Sequence, residues 1–236
     1  MKKKIIAIIL ARGGSKGIPR KNILPFLGIP LLGWSIIQSK SSKLIDEVYL
    51  SSDSEEILEI GEKYGAKKII RPAEFATDEA RSEEAVKHAL SMIKDDVEIV
   101  IMLEPTAPLR KTDDLDNCVE MFRKNNFDSC FSGAVLQDFL IWKKDNNGKL
   151  VGVNHDYLKQ GPRQMRDLEF VENGAIFMFK PNIMLQLDNR FGGQIGIFPN
   201  EFWQSFEIDE PDDWEFVEMI FKKYLYNSYK DLLVNF

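Results

Sequence analysis

Histidine and cysteine are scarce in this chain, which has two of each among its 236 residues. His88 and His155 have no serine or cysteine placed beside them, so the sequence offers no nucleophile and base pair for covalent catalysis. Cys118 and Cys130 lack the close spacing of a metal or redox pair. Thiol chemistry is therefore not indicated, and unpaired cysteines suit a reducing compartment.

Long hydrophobic runs and an excess of positive charge are also missing. The apolar run after the N-terminal lysines spans only residues 5–11, too few for a signal peptide or a membrane span. Lysine and arginine total 31 against 37 acidic residues, a net charge of -6, which argues against a general nucleic-acid binder. We therefore expect a cytoplasmic protein without nucleic-acid or membrane partners.

The chain has the composition of a globular protein, with 44% hydrophobic and 29% charged residues. Predicted strands alternate with helices over the first two thirds, which favours a mainly parallel sheet covered by helices. Strands are predicted at residues 4–11, 47–51, 67–70, 98–103, 127–136, 174–180, 194–198 and 205–208. Helices are predicted at residues 31–40, 54–64, 82–94 and 112–125, after Pro181 and from Pro211, and residues 224–236 as a surface helix or arm.

The alternation breaks between residues 139 and 171. Asn146, Asn147 and Gly148 indicate a turn, so a hairpin is expected there. We predict a main domain formed by residues 1–138 and 172–236 and a small appendage formed by residues 139–171.

A glycine-rich loop follows the first predicted strand and carries four cations, Arg12, Lys16, Arg20 and Lys21. Ligands gather at the carboxyl ends of parallel strands, and glycines let backbone N–H groups approach phosphates. The loop lacks both the Walker A ending and the G-x-G-x-x-G spacing. It predicts a phosphate site of another kind, the alternative being a turn whose basic side chains face solvent.

Six segments, in order, resemble motifs of the acylneuraminate cytidylyltransferases, the CMP-sialic acid synthetases. They are LARGGSKGIPRKN (10–22), RPAEFA (71–76), LEPTAPLR (103–110), PRQ (162–164), NGAI (173–176) and SFEID (205–209). The resemblance implies a Rossmann-like α/β domain of the nucleotide-diphospho-sugar transferase type and a homodimer, with residues 139–171 as an arm that reaches towards the partner. It also implies transfer of CMP from CTP to a sialic acid or a related nonulosonic or ulosonic acid, with Mg²⁺ and release of pyrophosphate.

The same resemblance implies roles for individual residues. The loop residues Arg12, Gly13, Ser15, Lys16, Lys21 and Asn22 would hold the triphosphate and ribose of CTP. Arg71 and Ser82 match cytosine-binding positions, although Ser82 is also a natural helix N-cap. Glu104, Arg163, Gln164 and Asn173 match further substrate-binding motifs. Lys21, Arg12 and Asp209 would act in catalysis, the acceptor hydroxyl attacking the α-phosphorus directly.

Glu207 and Asp209 are the predicted metal ligands. Positions two apart on a strand project from the same face, so both carboxylates can reach one Mg²⁺. The family usually has two aspartates here, whereas this chain has glutamate and then aspartate. Acidic residues that follow are predicted to serve the first turn of the helix after Pro211.

The acceptor side departs from the family pattern. Glu104, Trp142 and Val171 stand where the family typically has Gln, Lys and Arg. Candidate replacements that can bind a carboxylate are Lys143, Lys144, Arg163 and Arg166. Two alternatives therefore remain: a nucleotidyltransferase for a different acceptor, and a non-catalytic nucleotide-binding scaffold.

Overall fold

The computed structural model describes residues 3–136, 139–159, 161–162 and 167–235. In chain order, the strands are β1 (Lys4–Leu10), β2 (Pro25–Phe26), β3 (Ile29–Pro30), β4 (Glu47–Ser52), β5 (Lys67–Ile70), β6 (Val97–Leu103), β7 (Ser129–Val135), β8 (Trp142–Lys144), β9 (Leu150–Gly152), β10 (Phe170–Phe179) and β11 (Ile195–Asn200). The α-helices are α1 (Leu31–Ser41), α2 (Glu55–Lys63), α3 (Ser82–Met92), α4 (Asp114–Lys124), α5 (Pro181–Leu187), α6 (Pro211–Tyr224) and α7 (Tyr226–Lys230). Short 3-10 helices are formed by Lys21–Ile23, Ala73–Phe75, Phe202–Ser205 and Leu232–Asn235.

A seven-stranded sheet in the order β11-β7-β10-β6-β1-β4-β5 forms the centre of the molecule. β10 runs antiparallel to both of its neighbours, and the other strand pairs are parallel. The carboxyl ends of β1, β4, β5 and β6 therefore meet at one edge, the usual place for a ligand in such a sheet. The predicted mainly parallel α/β fold is confirmed.

Helices cover both faces of the sheet, and β1 is apolar from Ile5 to Leu10. Ile5, Ala7 and Ile9 pack with the apolar sides of α1, α2 and α4, while Ile6 and Ile8 pack with α3 and α5. These five side chains are at most 2% exposed. Each buried isoleucine contributes roughly 1.5–3 kcal/mol to folding, so the strand that precedes the glycine-rich loop is a rigid support.

An aromatic cluster joins α6 and the C-terminal segment to the sheet's edge. Phe26, Trp34, Phe221 and Tyr229 are fully buried in it. The hydroxyl of Tyr229 donates a 2.8 Å hydrogen bond to the carbonyl of Arg110. The prediction of a surface helix over 224–236 is therefore wrong for Tyr229, because its ring fills this cluster.

The predicted strand at 205–208 is also absent, because its backbone bonds elsewhere. Phe202–Ser205 is a 3-10 helix, and the chain then continues without regular structure to α6. The backbone N–H of Ile208 donates to the carbonyl of Thr106 at 2.8 Å, and its carbonyl accepts from the ammonium of Lys21 at 2.7 Å. These contacts hold the segment as a single extended strap rather than as a member of the sheet.

Two helix starts differ from prediction by one or two residues. Arg81, not Ser82, is the N-cap of α3, and Ser82 is its first residue. Asp113, not Thr112, precedes α4.

The expected hairpin is present as β8 and β9, which pair antiparallel. Gly148 has a φ of +78°, which suits glycine, and its N–H donates to the carbonyl of Asp145. β10 begins at Phe170, within the predicted appendage, and the division into two domains stays a prediction. None of the helices in the described ranges has the length and apolar character that a bilayer crossing requires.

Candidate active site

A cleft of about 500 Å³ opens where β1, β5 and β6 end. Nine of the predicted site residues line it: Arg12, Ser15, Lys16, Lys21, Asn22, Arg71, Ser82, Glu104 and Asp209. The fold thus brings the glycine-rich loop, the start of α3 and the strap around Ile208 to one place. Lining residues that the sequence did not single out include Phe75, Thr77, Asp78, Arg81, Thr106 and Glu210.

The glycine-rich loop is held tightly against the strap. A Cβ on Gly17 would lie 2.3 Å from the carbonyl oxygen of Asp209, so no side chain fits at that position. The side-chain amide of Asn22 closes the loop by donating to the carbonyl of Arg12 at 3.0 Å. The N–H of Gly13 donates to Asp53 at the end of β4 at 2.9 Å, and Gly13 does not line the cleft.

Lys21 is the cation at the base of the cleft, with only 9% of its surface exposed. Its ammonium donates to the carbonyl of Ile208 at 2.7 Å and to Oδ1 of Asp209 at 2.9 Å. Those two contacts direct the charge towards the strap. An immobilised ammonium beside a carboxylate is suited to bind anionic oxygens and to fix the position of a metal ligand.

Arg12 and Lys16 are engaged by a carboxylate from another loop. Asp78 accepts from Arg12 at 2.9 Å and from Lys16 at 2.5 Å, and Arg12 also donates to the carbonyl of Thr77 at 2.9 Å. The hydrogen bond from Lys16, together with that from Arg12, keeps the pKa of Asp78 below its usual range. A carboxylate of the protein itself therefore pairs with two of the cations that the resemblance assigns to phosphate binding.

Arg71 is buried at the end of β5, where most of its donors hold β4. Nε donates to the hydroxyl of Ser51 at 3.1 Å, and Nη2 donates to the carbonyl of Ser51 at 2.6 Å. Burial lowers the pKa of Arg71 to about 10, so the guanidinium keeps its charge at neutral pH. Ser82, the first residue of α3, also lines the cleft.

Three carboxylates, those of Glu104, Glu207 and Asp209, lie close together beside the cleft. A Cβ on Gly174 would lie 3.1 Å from Oε2 of Glu207 and 3.5 Å from Oε2 of Glu104. Burial, with additional repulsion from Asp209 and Glu104, raises the pKa of Glu207 to about 7. Burial also raises the pKa of Glu104. Glu207 is not part of the cleft lining and stands behind it.

Within the described part of the chain, no three or more His, Cys, Asp or Glu side chains form a ready metal cage. Mg²⁺ usually takes only one or two protein carboxylates and completes its shell with water and substrate phosphates. Asp209, which lines the cleft, and Glu207, which does not, would supply those two carboxylates. Residues 205–208 are not a strand, so strand alternation does not bring Glu207 and Asp209 together as predicted. The course of the strap does so instead.

The remaining predicted residues lie elsewhere. Asn173 is 2% exposed, accepts from the hydroxyl of Ser132 at 2.6 Å and donates to Asn200 at 2.9 Å, so its amide is engaged inside the protein. Arg163 and Gln164 fall outside the described residues. Trp142 lies on the hairpin against His155, and Val171 pairs with Ala134 inside the sheet.

A sequence profile of cytidylyltransferases matches residues 6–232, nearly the whole chain. The chain belongs to the cytidylyltransferase family. The predicted family and enzyme class, a nucleotidyltransferase that uses CTP, are thereby confirmed.

This cytidylyltransferase is 34% identical over 226 residues to the N-acylneuraminate cytidylyltransferase of Escherichia coli, covering 94% of this chain and 53% of that relative. The chain therefore spans about half the length of that protein. It is 32% identical over 225 residues to the pseudaminic acid cytidylyltransferase of Campylobacter jejuni, covering 93% of this chain and 97% of the relative.

Solved structures agree at the level of the fold. The structure of CMP:2-keto-3-deoxy-manno-octonic acid synthetase complexed with CTP superposes with a TM-score of 0.70 at 14% identity, covering 94% of this cytidylyltransferase and all of that chain. The 4-diphosphocytidyl-2C-methyl-D-erythritol synthase of Anaerococcus prevotii gives 0.66 at 15% identity, with 93% and 99% covered.

Proposed function

We propose that this cytidylyltransferase transfers CMP from CTP to the hydroxyl of an acidic sugar of the nonulosonic or ulosonic acid class and releases pyrophosphate. The observation that carries the proposal is the convergence of Arg12, Lys16 and Lys21 on one cleft that also contains Arg71 and Asp209. Relatives named for N-acylneuraminate and pseudaminic acid support the acidic acceptor.

CTP would enter the cleft with its phosphates on the glycine-rich loop. The triphosphate would displace Asp78 from Arg12 and Lys16, since the nucleotide presents more negative charge than one carboxylate. Arg12 and Lys21 would then neutralise the charge that develops on the leaving pyrophosphate. Arg71 and Ser82, which also line the cleft, would contact cytosine.

Asp209 and Glu207 would hold Mg²⁺, and the donor set fits that ion. Both supply hard carboxylate oxygens, and Lys21 fixes the position of Asp209. The raised pKa of Glu207 reflects burial and crowded negative charge, which a divalent cation would relieve. When bound, Mg²⁺ neutralises phosphate charge and lowers the pKa of an acceptor hydroxyl.

The acceptor hydroxyl would attack the α-phosphorus of CTP directly, forming the new P–O bond as the bond to pyrophosphate breaks. Among the described residues, the cleft lining contains no cysteine or histidine, so no side chain of those types is placed to form a covalent intermediate. The protein's part is to orient CTP on the loop and to hold the acceptor on the Glu104 side of the cleft.

We also propose that the enzyme is a homodimer joined through the hairpin region. Exposed apolar side chains are concentrated there, at Phe139, Ile141, Trp142, Leu150, Val153 and Leu158. Apolar residues grouped in this way usually mark a protein interface. The cytoplasmic location remains a prediction.

Pyrophosphate release tests the reaction. Wild-type protein is assayed with CTP, UTP, ATP and GTP in Mg²⁺ against N-acetylneuraminate, legionaminate, pseudaminate, deaminated neuraminate and Kdo. Release that requires CTP and one of these acids supports the proposal. Tight CTP binding by calorimetry without release from any acid would contradict the acidic acceptor, and absence of CTP binding would favour a scaffold. Arg123→Gln, which removes a surface ion pair with Glu98, is the control variant.

A further inference from the structure

We propose that Arg190 binds the carboxylate of the acceptor and thereby selects acidic sugars. The inference rests on the proposed function and assigns a residue that neither the sequence motifs nor the cleft lining indicated.

Arg190 follows α5 and lies over the sheet next to the end of β6. Its guanidinium carbon is 4.2 Å from the ring centroid of Phe177 and 5.7 Å from that of Phe191. Phe177 pairs with Met102 of β6, two residues before Glu104. The guanidinium is therefore stacked beside the point at which β6 delivers Glu104 to the cleft.

A contact with the start of α3 indicates that the same guanidinium lies near the border of the cleft. Ser82 and Ala85 line the cleft, and Glu83, between them in sequence, lies 3.7 Å from Nη1 of Arg190. The charge of Arg190 also reaches Glu104, where it opposes the rise in pKa caused by burial. Arg190 thus lies near the Glu104 side of the cleft, which the proposed function assigns to the acceptor.

Within the part of the chain that the structure describes, the guanidinium of Arg190 has one ionic partner, Glu83, and its Nε has no hydrogen-bond acceptor. Nε is buried, and the pair with Glu83 is longer than a hydrogen bond. Buried donors without acceptors cost free energy, which a bound anion would recover.

The other arginines near the cleft are already engaged, including Arg81, whose Nη2 donates to the carbonyl of Asp188 at 2.9 Å. Arg110 donates to Ala175, Ser35, Gln38 and Glu104. Arg71 donates to Ser51, and Arg12 is paired with Asp78. Arg190 differs from them in having a buried Nε without a hydrogen-bond acceptor among the described residues.

A planar guanidinium held against an aromatic ring is well suited to a carboxylate. The stacking on Phe177 restricts the plane of the group, and its donors can form two parallel hydrogen bonds to one carboxylate. Glu104, close to it, can accept a hydroxyl hydrogen of the same sugar. The arrangement favours an acid that also carries hydroxyl groups over a neutral sugar.

The test compares an acid with its own methyl ester as acceptor. Arg190→Gln and Arg190→Lys are assayed by pyrophosphate release with the acid that the wild-type enzyme accepts, and then with the ester. Arg190→Gln is expected to raise KM for the acid about 10- to 100-fold, with kcat and KM for CTP within about threefold of wild type. The ester is expected to be a poor acceptor for wild type and no poorer for Arg190→Gln. Arg190→Lys keeps the charge without the paired donors and should recover part of the loss.

An equal loss with acid and ester, or an unchanged KM for the acid, would overturn the role of Arg190 while leaving the proposed reaction intact. No release by wild type with any acid would overturn both. Thermal melting of each variant separates a folding defect from a binding defect, and Arg123→Gln should match wild type in every assay.

Discussion

Lys21 and Asp209 lie 188 positions apart in the chain, and their side chains meet at 2.9 Å at the base of the cleft. The ammonium also binds the carbonyl of Ile208, so one buried side chain joins the glycine-rich loop to the strap. This contact brings the predicted phosphate site and the predicted metal site together.

Asp209→Asn is expected to reduce kcat by at least about 100-fold, because the neutral amide is a weaker ligand for Mg²⁺ and a weaker partner for Lys21. The melting temperature should stay near that of wild type, since Asp209 is largely exposed. Steady-state pyrophosphate release and a thermal melt check the two statements. Wild-type turnover in Mg²⁺ would contradict the metal assignment.

Gly17→Ala is expected to weaken CTP binding and to destabilise the protein by about 1–3 kcal/mol. The new methyl group would lie 2.3 Å from the carbonyl of Asp209, so loop and strap must separate. Gly14→Ala is the matched control, because a Cβ there meets no atom within 4 Å. Calorimetry with CTP and urea unfolding compare the two variants. Equal CTP affinity and equal free energy of unfolding would show that the loop accommodates the methyl group at residue 17.

Asp78→Asn is expected to strengthen CTP binding by about twofold to threefold at low salt, because it removes the anion that competes for Arg12 and Lys16. The effect is small since exposed ion pairs contribute little. Glu79→Gln changes the charge of the same loop by the same amount and serves as control. Calorimetric titration with CTP measures both, and weaker binding by Asp78→Asn would mean that Asp78 supports the loop instead.

Glu207→Gln is expected to raise the free energy of unfolding of the metal-free protein at pH 8. At pH 5 the same substitution should change that free energy little. The folded pKa of Glu207, about 7, lies above its ordinary value of 4.5. The folded state therefore holds a proton that the unfolded state has lost, and stability falls as pH rises from 4.5 to 7. After discounting for partial exposure, the difference at pH 8 should be about 1–2 kcal/mol.

Urea unfolding in EDTA at several pH values measures this difference. A gain for Glu207→Gln that is the same at pH 5 and pH 8 would show that Glu207 does not titrate in this range.

Leu158→Glu is expected to shift a homodimer towards the 27.2 kDa monomer. Leu158 is 78% exposed in the hairpin region, so the change should not unfold the subunit. Val234, near the C-terminus, is 85% exposed, so Val234→Glu is the control and should leave the assembly unchanged. Light scattering at micromolar concentration reads the mass, and a monomeric wild type would contradict the dimer itself.

Local sequence patterns were sufficient to predict the structure of segments whose conformation depends on their own residues. The β-branched run within residues 4–11 predicted β1, because a strand buried on both faces carries apolar residues at successive positions. The glycine-rich loop predicted a ligand site at the end of that strand, and its residues do line a cleft. The helices predicted at residues 31–40 and 54–64 agree with α1 and α2 to within one residue at each end.

Contacts between distant segments could not be predicted in this way. Residues 205–208 are apolar and aromatic enough to suggest a strand, but the bonds of Ile208 to Thr106 and Lys21 hold them as a strap. Asp78 carries no local signal that it would pair with Arg12, 66 positions earlier.

The sequence by itself determined the α/β class, the place of the glycine-rich loop and the number of cations in it, because each depends on neighbouring residues and short-range backbone preferences. Only the tertiary structure decided that Lys21 pairs with Asp209, that Asp78 pairs with two cations of the loop, and that Nε of Arg190 is buried without an acceptor among the described residues. These are long-range electrostatic relationships, and they arise only when the order of strands in the sheet brings separate loops to one edge.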